Sequence, residues 1–247
     1  MDRRIVLKVY MHMVMKNEAS RYLHSSLSWN SAHFDGIHVY DDQSTDASVQ
    51  IAKSYSTVDV RPDGNASFLE SESNFRSDAL AHFFEKMLPE YGDWIVSLDA
   101  DEFFHCKSIR SKLSSVPESF DRVSFPVREI WSYSPNRLSQ RMDGYWGSIK
   151  QVRAMRVTPD LDIGDFSNKK MGCGSLPSLG LPVIHMDDAE IYHFGYANYD
   201  DRKDKYSRYS SISHGHSNSH VNSILDKPRC AQIDTTVGCF VWRGYRV

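Results

Sequence analysis

Cysteine is scarce in this chain and has no pattern. Cys106, Cys173, Cys230 and Cys239 show no C-x-x-C spacing, so reduced thiols in a cytosolic protein are expected instead of a disulfide framework. Long apolar runs are missing too: nothing reaches the eighteen or so residues of a membrane span. The apolar run at residues 5–15 carries Lys8 and His12, and no small-residue cleavage site follows it. It is expected to be a strand and not a signal peptide, which leaves the Asn65-Ala66-Ser67 sequon without consequence. An excess of one charge is absent as well. A net charge of −3 gives no electrostatic reason to expect DNA or RNA as a partner. Glycine does not occur between residues 13 and 19, which excludes a glycine-rich phosphate loop there. No internal repeat and no linker marks a second independent domain.

What is present is an alternation of two hydrophobic periods. Residues 4–15 are apolar and rich in β-branched side chains, as a buried parallel strand requires. A helix is predicted over residues 18–31, with Ala19, Leu23 and Leu27 on one face. Residues 36–40 read as a second strand, and Asp46 or Ser44 as the N-cap of a helix over 47–54. A short strand at 58–60 precedes the clearest helix, about 71–88, where Leu80, Phe83, Phe84, Met87 and Leu88 recur at helical spacing. Pro89 and Gly92 stop it, and the strand 94–98 follows. This β-α-β-α-β-α-β order predicts an α/β fold with a doubly wound parallel sheet. Ligands of such sheets bind beyond the carboxyl ends of the strands. Three polar clusters fall there: Lys16-Asn17-Glu18, Asp41-Asp42 and Asp99-Ala100-Asp101-Glu102.

The last cluster would place Asp99 and Asp101 on one side of a strand pleat. Two carboxylates at a strand end suit a hard divalent cation. Mg²⁺ or Mn²⁺ fits best, since a small ion keeps waters and takes phosphate oxygens as further ligands. After residue 105 the pattern is less regular. Strands are expected at 122–130, 150–157, 182–185 and 190–194, and a charged helix at 199–210. Trp131, Tyr133, Tyr145 and Trp146 read as core packing of an irregular region, with a sugar-stacking platform as the other reading. His214, His216 and His220 sit in a polar Ser, Gly and Asn tract that reads as a loop.

Three segments, in order, carry a resemblance. Met15-Lys16-Asn17-Glu18-Ala19, Val39-Tyr40-Asp41-Asp42-Gln43-Ser44-Thr45-Asp46 and Trp94-Ile95-Val96-Ser97-Leu98-Asp99-Ala100-Asp101-Glu102-Phe103 resemble the motifs of nucleotide-sugar glycosyltransferases of the GT-A fold, family 2 most of all. The likeness covers about residues 4–105, with a weaker echo at Ile191-Tyr192-His193-Phe194-Gly195-Tyr196 and downstream Lys205 and Tyr206. It implies a Rossmann-like, mainly parallel sheet flanked by helices and an irregular mixed acceptor-side region. One domain over residues 1–247 is implied, with about 1–105 binding the nucleotide-sugar and about 106–247 facing the acceptor. It also implies a UDP-sugar or related donor and Mn²⁺ or Mg²⁺, with inverting transfer to an acceptor hydroxyl.

By that resemblance Asp101 ligates the metal, Asp99 contacts the ribose or the metal, and His193 is a late metal ligand. Asp42, with Asp41 beside it, reads the N–H of a pyrimidine, while Asn17, Glu18 and Arg76 lie along the nucleotide. The base that takes the acceptor proton has three candidates, Glu129, Asp165 and Asp188. The acceptor stays open: a glycan, as in polysaccharide synthesis, a lipid-linked sugar, a protein or a small molecule. A cytoplasmic enzyme is expected, with peripheral contact to a membrane left open. The competing readings are a nucleotide-sugar or glycan-binding module without turnover and a sugar-nucleotide pyrophosphorylase. The second needs the phosphate loop that residues 13–19 lack.

Overall fold

In the computed structural model, residues 7–134, 137–159, 161, 176, 182–211 and 218–233 are described. In chain order the first elements are β1 (Val9–Met15), α1 (Leu23–Asn30), β2 (Gly36–Asp41), α2 (Ser48–Lys53), β3 (Thr57–Val60) and α3 (Glu72–Met87). Then come β4 (Trp94–Ser97), β5 (Glu102–His105), α4 (Ile109–Ser114), β6 (Arg122–Ser134), β7 (Arg137–Arg141) and a 3-10 turn at Gly144–Gly147. The chain continues with β8 (Lys150–Arg156), β9 (Val183–His185), β10 (Glu190–His193), α5 (Tyr199–Ser211), α6 (Asn218–Ser223) and β11 (Cys230–Ile233). These group into two compact units, residues 1–125 with 150–190 and residues 126–149 with 191–247.

The first unit is mixed α/β around a mostly parallel sheet. β1 pairs in parallel with β2 on one side and β4 on the other, β2 pairs in parallel with β3, and β8 runs antiparallel to β4. The order β3-β2-β1-β4-β8 places the reversal of strand order at β1 and β4. Pairing is level at the carboxyl rim: Met15 faces Asp41, and Asp41 faces Val60. α3 packs on this sheet. Tyr10, Ile95, Met155 and Val157 pack with Leu80 and Phe83 of α3, and Tyr40 packs with Phe75 and Ala79. The Ser71 hydroxyl caps α3 by accepting from the Asn74 N–H, and the helix ends at Leu88, whose φ of 45° is left-handed.

Two expectations are corrected. The first helix begins at Leu23 and not at residue 18. Residues 17–19 are held instead by side chains of the loop after β2, since Ala19 N–H donates to Asp46 and Glu18 N–H to Ser48. The pleat expected at Asp99 and Asp101 is absent as well. β4 stops at Ser97, and Asp99 to Glu102 close a turn in which Glu102 N–H donates to the Asp99 carbonyl at 3.0 Å.

The second unit is built from side-chain contacts more than from regular pairing. β6 and β7 are antiparallel with a bulge between Ile130 and Ser132, β11 adds to β7, and β10 lies parallel to β6. The Arg141 guanidinium lies over both Trp131 and Trp146, at 4.5 and 4.7 Å from their ring centroids. It also pairs with Asp143 at 2.7 Å and donates to the Ser223 carbonyl. Trp131 and Trp146 are therefore core, held by cation–π contacts, while Tyr145 is exposed.

Candidate functional site

The carboxyl rim of the first unit's sheet gathers most of the predicted residues. The loops after β1 and β2 are laced together. Asn17 takes a left-handed φ of 52°, donates its N–H to Ser44 Oγ at 2.8 Å and accepts from Thr45 N–H at 2.8 Å. Asp41 is fully buried and folds back on Ser44, accepting from its N–H at 2.8 Å and its hydroxyl at 2.5 Å. The Glu18 carboxylate takes Arg21 at 2.9 Å. Asp46 accepts from Ser48 N–H and Ala19 N–H, but the N-cap of α2 is Ala47, without a side-chain cap bond, and not the expected Asp46 or Ser44. Burial raises the pKa of Asp46, but the bonds from Ser48 and Ala19 outweigh that and hold it below the ordinary carboxylate value. These residues shape the rim, and their functional groups are spent on one another.

Asp42 is different. Its N–H donates to the Met15 carbonyl, which fixes it at the strand end. Its carboxylate, 1% exposed, accepts from Arg61 Nε at 2.6 Å on Oδ1, and from Lys16 Nζ at 3.1 Å and Phe68 N–H at 3.3 Å on Oδ2. Arg61 was not picked out from the sequence. It follows the short strand β3 and points back along the rim, with Nη2 on Gln43 Oε1 at 3.0 Å and Nη1 on the Asn65 carbonyl at 2.5 Å. Beside it opens a polar pocket of about 420 Å³ lined by Gln43, Arg61, Asp63, Gly64, Asn65, Ala66 and Glu70.

On the other side of β1 stands the acidic turn. Asp99 is partly exposed and meets Arg76 Nη2 at 3.4 Å. Arg76, buried on α3, is steadied by Glu72 at 2.9 Å and lies over the Phe68 ring. The structure thus brings together Arg76 and Asp99, two residues proposed separately for the nucleotide. Asp101 is buried in the same turn. Glu102, the third acid of the segment, faces the core: it pairs with buried Arg153, and its carbonyl accepts from Ser26 Oγ and Asn30 Nδ2 of α1. Among the described residues no group of three or more His, Cys, Asp or Glu side chains is assembled to hold a metal ion. Two hard carboxylates in one turn suit an ion that completes its shell with water and phosphate.

The remaining predicted residues belong to other segments. Asp188 lies on an exposed turn and is ion-paired with Lys112, and neighbouring Asp187 pairs with Lys150 at 2.7 Å. Asp165 lies outside the described residues, as do His214 and His216. In the second unit, Glu129 is buried on β6 and accepts from His193 Nδ1 of β10 at 2.7 Å. Lys205 Nζ is 3.4 Å from His193 Nε2, which selects the tautomer with the proton on Nδ1.

A mostly parallel sheet with acidic, cation-lined loops at its point of strand reversal makes this an α/β protein of the doubly wound kind. The chain belongs to glycosyl transferase family 2, whose family model matches residues 11–171. No match was found among curated proteins. Similar solved structures include a mycobacterial protein at 15% identity and TM-score 0.37, covering 50% of this chain and 41% of that chain. Another is glucosyl-3-phosphoglycerate synthase from Mycobacterium tuberculosis in complex with Mn²⁺, UDP and glucosyl-3-phosphoglycerate, at 17% identity and TM-score 0.35 over 49% of this chain and 44% of that chain. A third is 4-diphosphocytidyl-2C-methyl-D-erythritol synthase, at 11% identity and TM-score 0.40 over 74% of this chain and 89% of that chain. The chain spans less than half the length of the first two. No described helix is long and apolar enough to cross a membrane.

Proposed function

We propose that the chain is a metal-dependent glycosyltransferase that moves a sugar from a nucleoside diphosphate sugar, a UDP-sugar by preference, to an acceptor hydroxyl with inversion. One observation carries this above the others: two acidic segments, 41–46 and 99–102, flank β1 on one carboxyl rim, inside the stretch that the family model matches. A nucleoside diphosphate has the matching layout, a hydrogen-bonding base at one end and concentrated negative charge at the other.

Asp42 is assigned to the base. A carboxylate accepts about four hydrogen bonds, and Arg61, Lys16 and Phe68 N–H occupy three positions on Asp42. Lys16 is the exposed one of the three, and the Oδ2 position it holds suits the imino N–H of a uracil, which cytosine lacks at that ring atom. Asn17, Glu18 and Asp41 shape the wall of this site through the loop bonds they make. Arg76 and Asp99 are assigned to the ribose and diphosphate end, and Asp99 and Asp101 to a divalent cation, Mn²⁺ or Mg²⁺. When bound, such an ion offsets the charge that grows on the departing diphosphate. His193 remains a candidate metal ligand on sequence grounds.

For the acceptor proton, Glu129 is favoured over Asp188. The Asp188 carboxylate is exposed and tied to Lys112. Glu129 is buried, fixed through Oε2 by His193, and its Oε1 makes no hydrogen bond among the described residues. Asp165 remains a candidate on sequence grounds. A thermal-shift panel of nucleotides and nucleotide-sugars with Mn²⁺ tests the donor assignment. A ligand present at about a hundred times its Kd stabilises by about 2.7 kcal/mol, so UDP or a UDP-sugar is expected to raise Tm by several degrees. CDP, GDP and ADP should do markedly less. Equal shifts for all four, or none for UDP, would remove uridine from the proposal.

A further inference from the structure

Arg61 and Lys16 hold the same carboxylate in ways that are not equivalent. Arg61 is 10% exposed and fastened at three separate points, to Asp42, to Gln43 and to the Asn65 carbonyl. Its planar fork is committed in every direction, so leaving Asp42 would break all of these at once. Lys16 is 42% exposed, and among the described residues its ammonium makes one hydrogen bond, at 3.1 Å, to Asp42 Oδ2. A flexible four-carbon stem with a single exposed ion pair loses little by swinging away. Lys16 is therefore the exchangeable partner and Arg61 the permanent one.

The place from which Lys16 springs gives that exchange a destination. It is the first residue after β1, and β1 lies between β2, which ends at Asp41 and Asp42, and β4, which leads to Asp99. A nucleoside diphosphate with its base at the β2 end and its phosphates at the β4 end must cross the end of β1. An ammonium rooted there meets the diphosphate on the way.

We propose that Lys16 is an exchange residue for the donor: it covers Asp42 while the site is empty, is displaced when the base N–H arrives, and transfers its ammonium to the diphosphate. This rests on the uridine diphosphate assignment above. It makes recognition of the base conditional on the phosphates. A nucleoside alone must break the Lys16–Asp42 pair with nothing in return, whereas the diphosphate gives the ammonium a more highly charged partner. The protein would then reject free uridine more strongly than the loss of phosphate contacts explains.

Lys16→Met keeps the aliphatic stem and removes the charge at an exposed position, so the fold is expected to survive, as circular dichroism would show. Calorimetric titration of the full-length wild type and variant with uridine and with UDP, both with Mn²⁺, gives the ratio of the two dissociation constants. Uridine is expected to bind the variant more tightly than wild type and UDP more weakly. One charge-assisted hydrogen bond lost on each side narrows the ratio by roughly tenfold or more. Lys16→Arg keeps the charge and should leave the ratio near the wild-type value. An unchanged ratio in Lys16→Met, or equal weakening of both ligands, would overturn the exchange while leaving the donor assignment standing. Failure of wild-type protein to bind UDP would overturn both.

Discussion

Glu102 sits inside the acidic segment 99–102 yet belongs to the interior. It is 1% exposed, pairs with Arg153, which is 2% exposed, and helps close the turn by accepting from Asp99 N–H. Removing one member of a buried ion pair leaves the other charge uncompensated, at a cost of about 3–5 kcal/mol. Glu102→Ala is accordingly expected to lower the urea midpoint sharply, while Glu102→Met combined with Arg153→Leu recovers most of the loss. A variant with Glu102→Ala alone and wild-type stability would contradict this role. In the sequence Glu102 could not be told from Asp99 and Asp101, because the three differ only in which way a turn points them. Asp42 was legible from its segment. Arg61 was not, since its partners Asp42 and Gln43 lie 19 and 18 residues away and meet it only through the order of the strands.

At the scale of elements, β1 and β2 place His12 beside His38 in register. The rings stack at 5.3 Å, with Nδ1 to Nδ1 at 3.2 Å, and His38 Nε2 meets Asp59 at 3.0 Å. One proton pattern satisfies this chain: His38 donates from Nε2 to Asp59, and His12 donates from Nδ1 to His38. Burial pushes both pKa values below 6.5, His12 furthest, with the neighbouring His38 and Arg76 adding to the effect on His12. The unfolded chain therefore binds protons that the folded one refuses. Stability from this pair is complete above about pH 6.5 and falls as pH drops below it. Urea titrations between pH 7.5 and 5.5 should show that decline, and His12→Leu should flatten it. An equally steep decline in the variant would assign the effect elsewhere. The helical period and the Pro89 and Gly92 signals placed α3 to within a residue at each end. The start of α1 was missed because Asp46 and Ser48, nearly thirty residues on, take the N–H groups of Ala19 and Glu18.

Across the whole molecule, legibility follows the kind of order each unit uses. The first unit repeats strand and helix, and its motifs fall at strand ends, so periodicity alone placed Asp42, Asp99 and Asp101 on one rim. The second unit is organised by single contacts such as Arg141 over Trp131 and Trp146, or Glu129 on His193, and no period announces these. The donor is accordingly proposed to meet several named residues, and for the acceptor only a base, Glu129, is proposed. The central claim is that the acidic turn at the end of β4 holds a divalent cation for a uridine diphosphate donor. Calorimetric titration of UDP into wild type and Asp101→Ala, each with Mn²⁺ and with chelator, tests it most directly. Wild-type affinity is predicted to rise at least about tenfold with Mn²⁺, the scale of one charge-assisted contact. Asp101→Ala, with its fold intact, should show no such rise. Equal UDP affinity in all four titrations would contradict the claim.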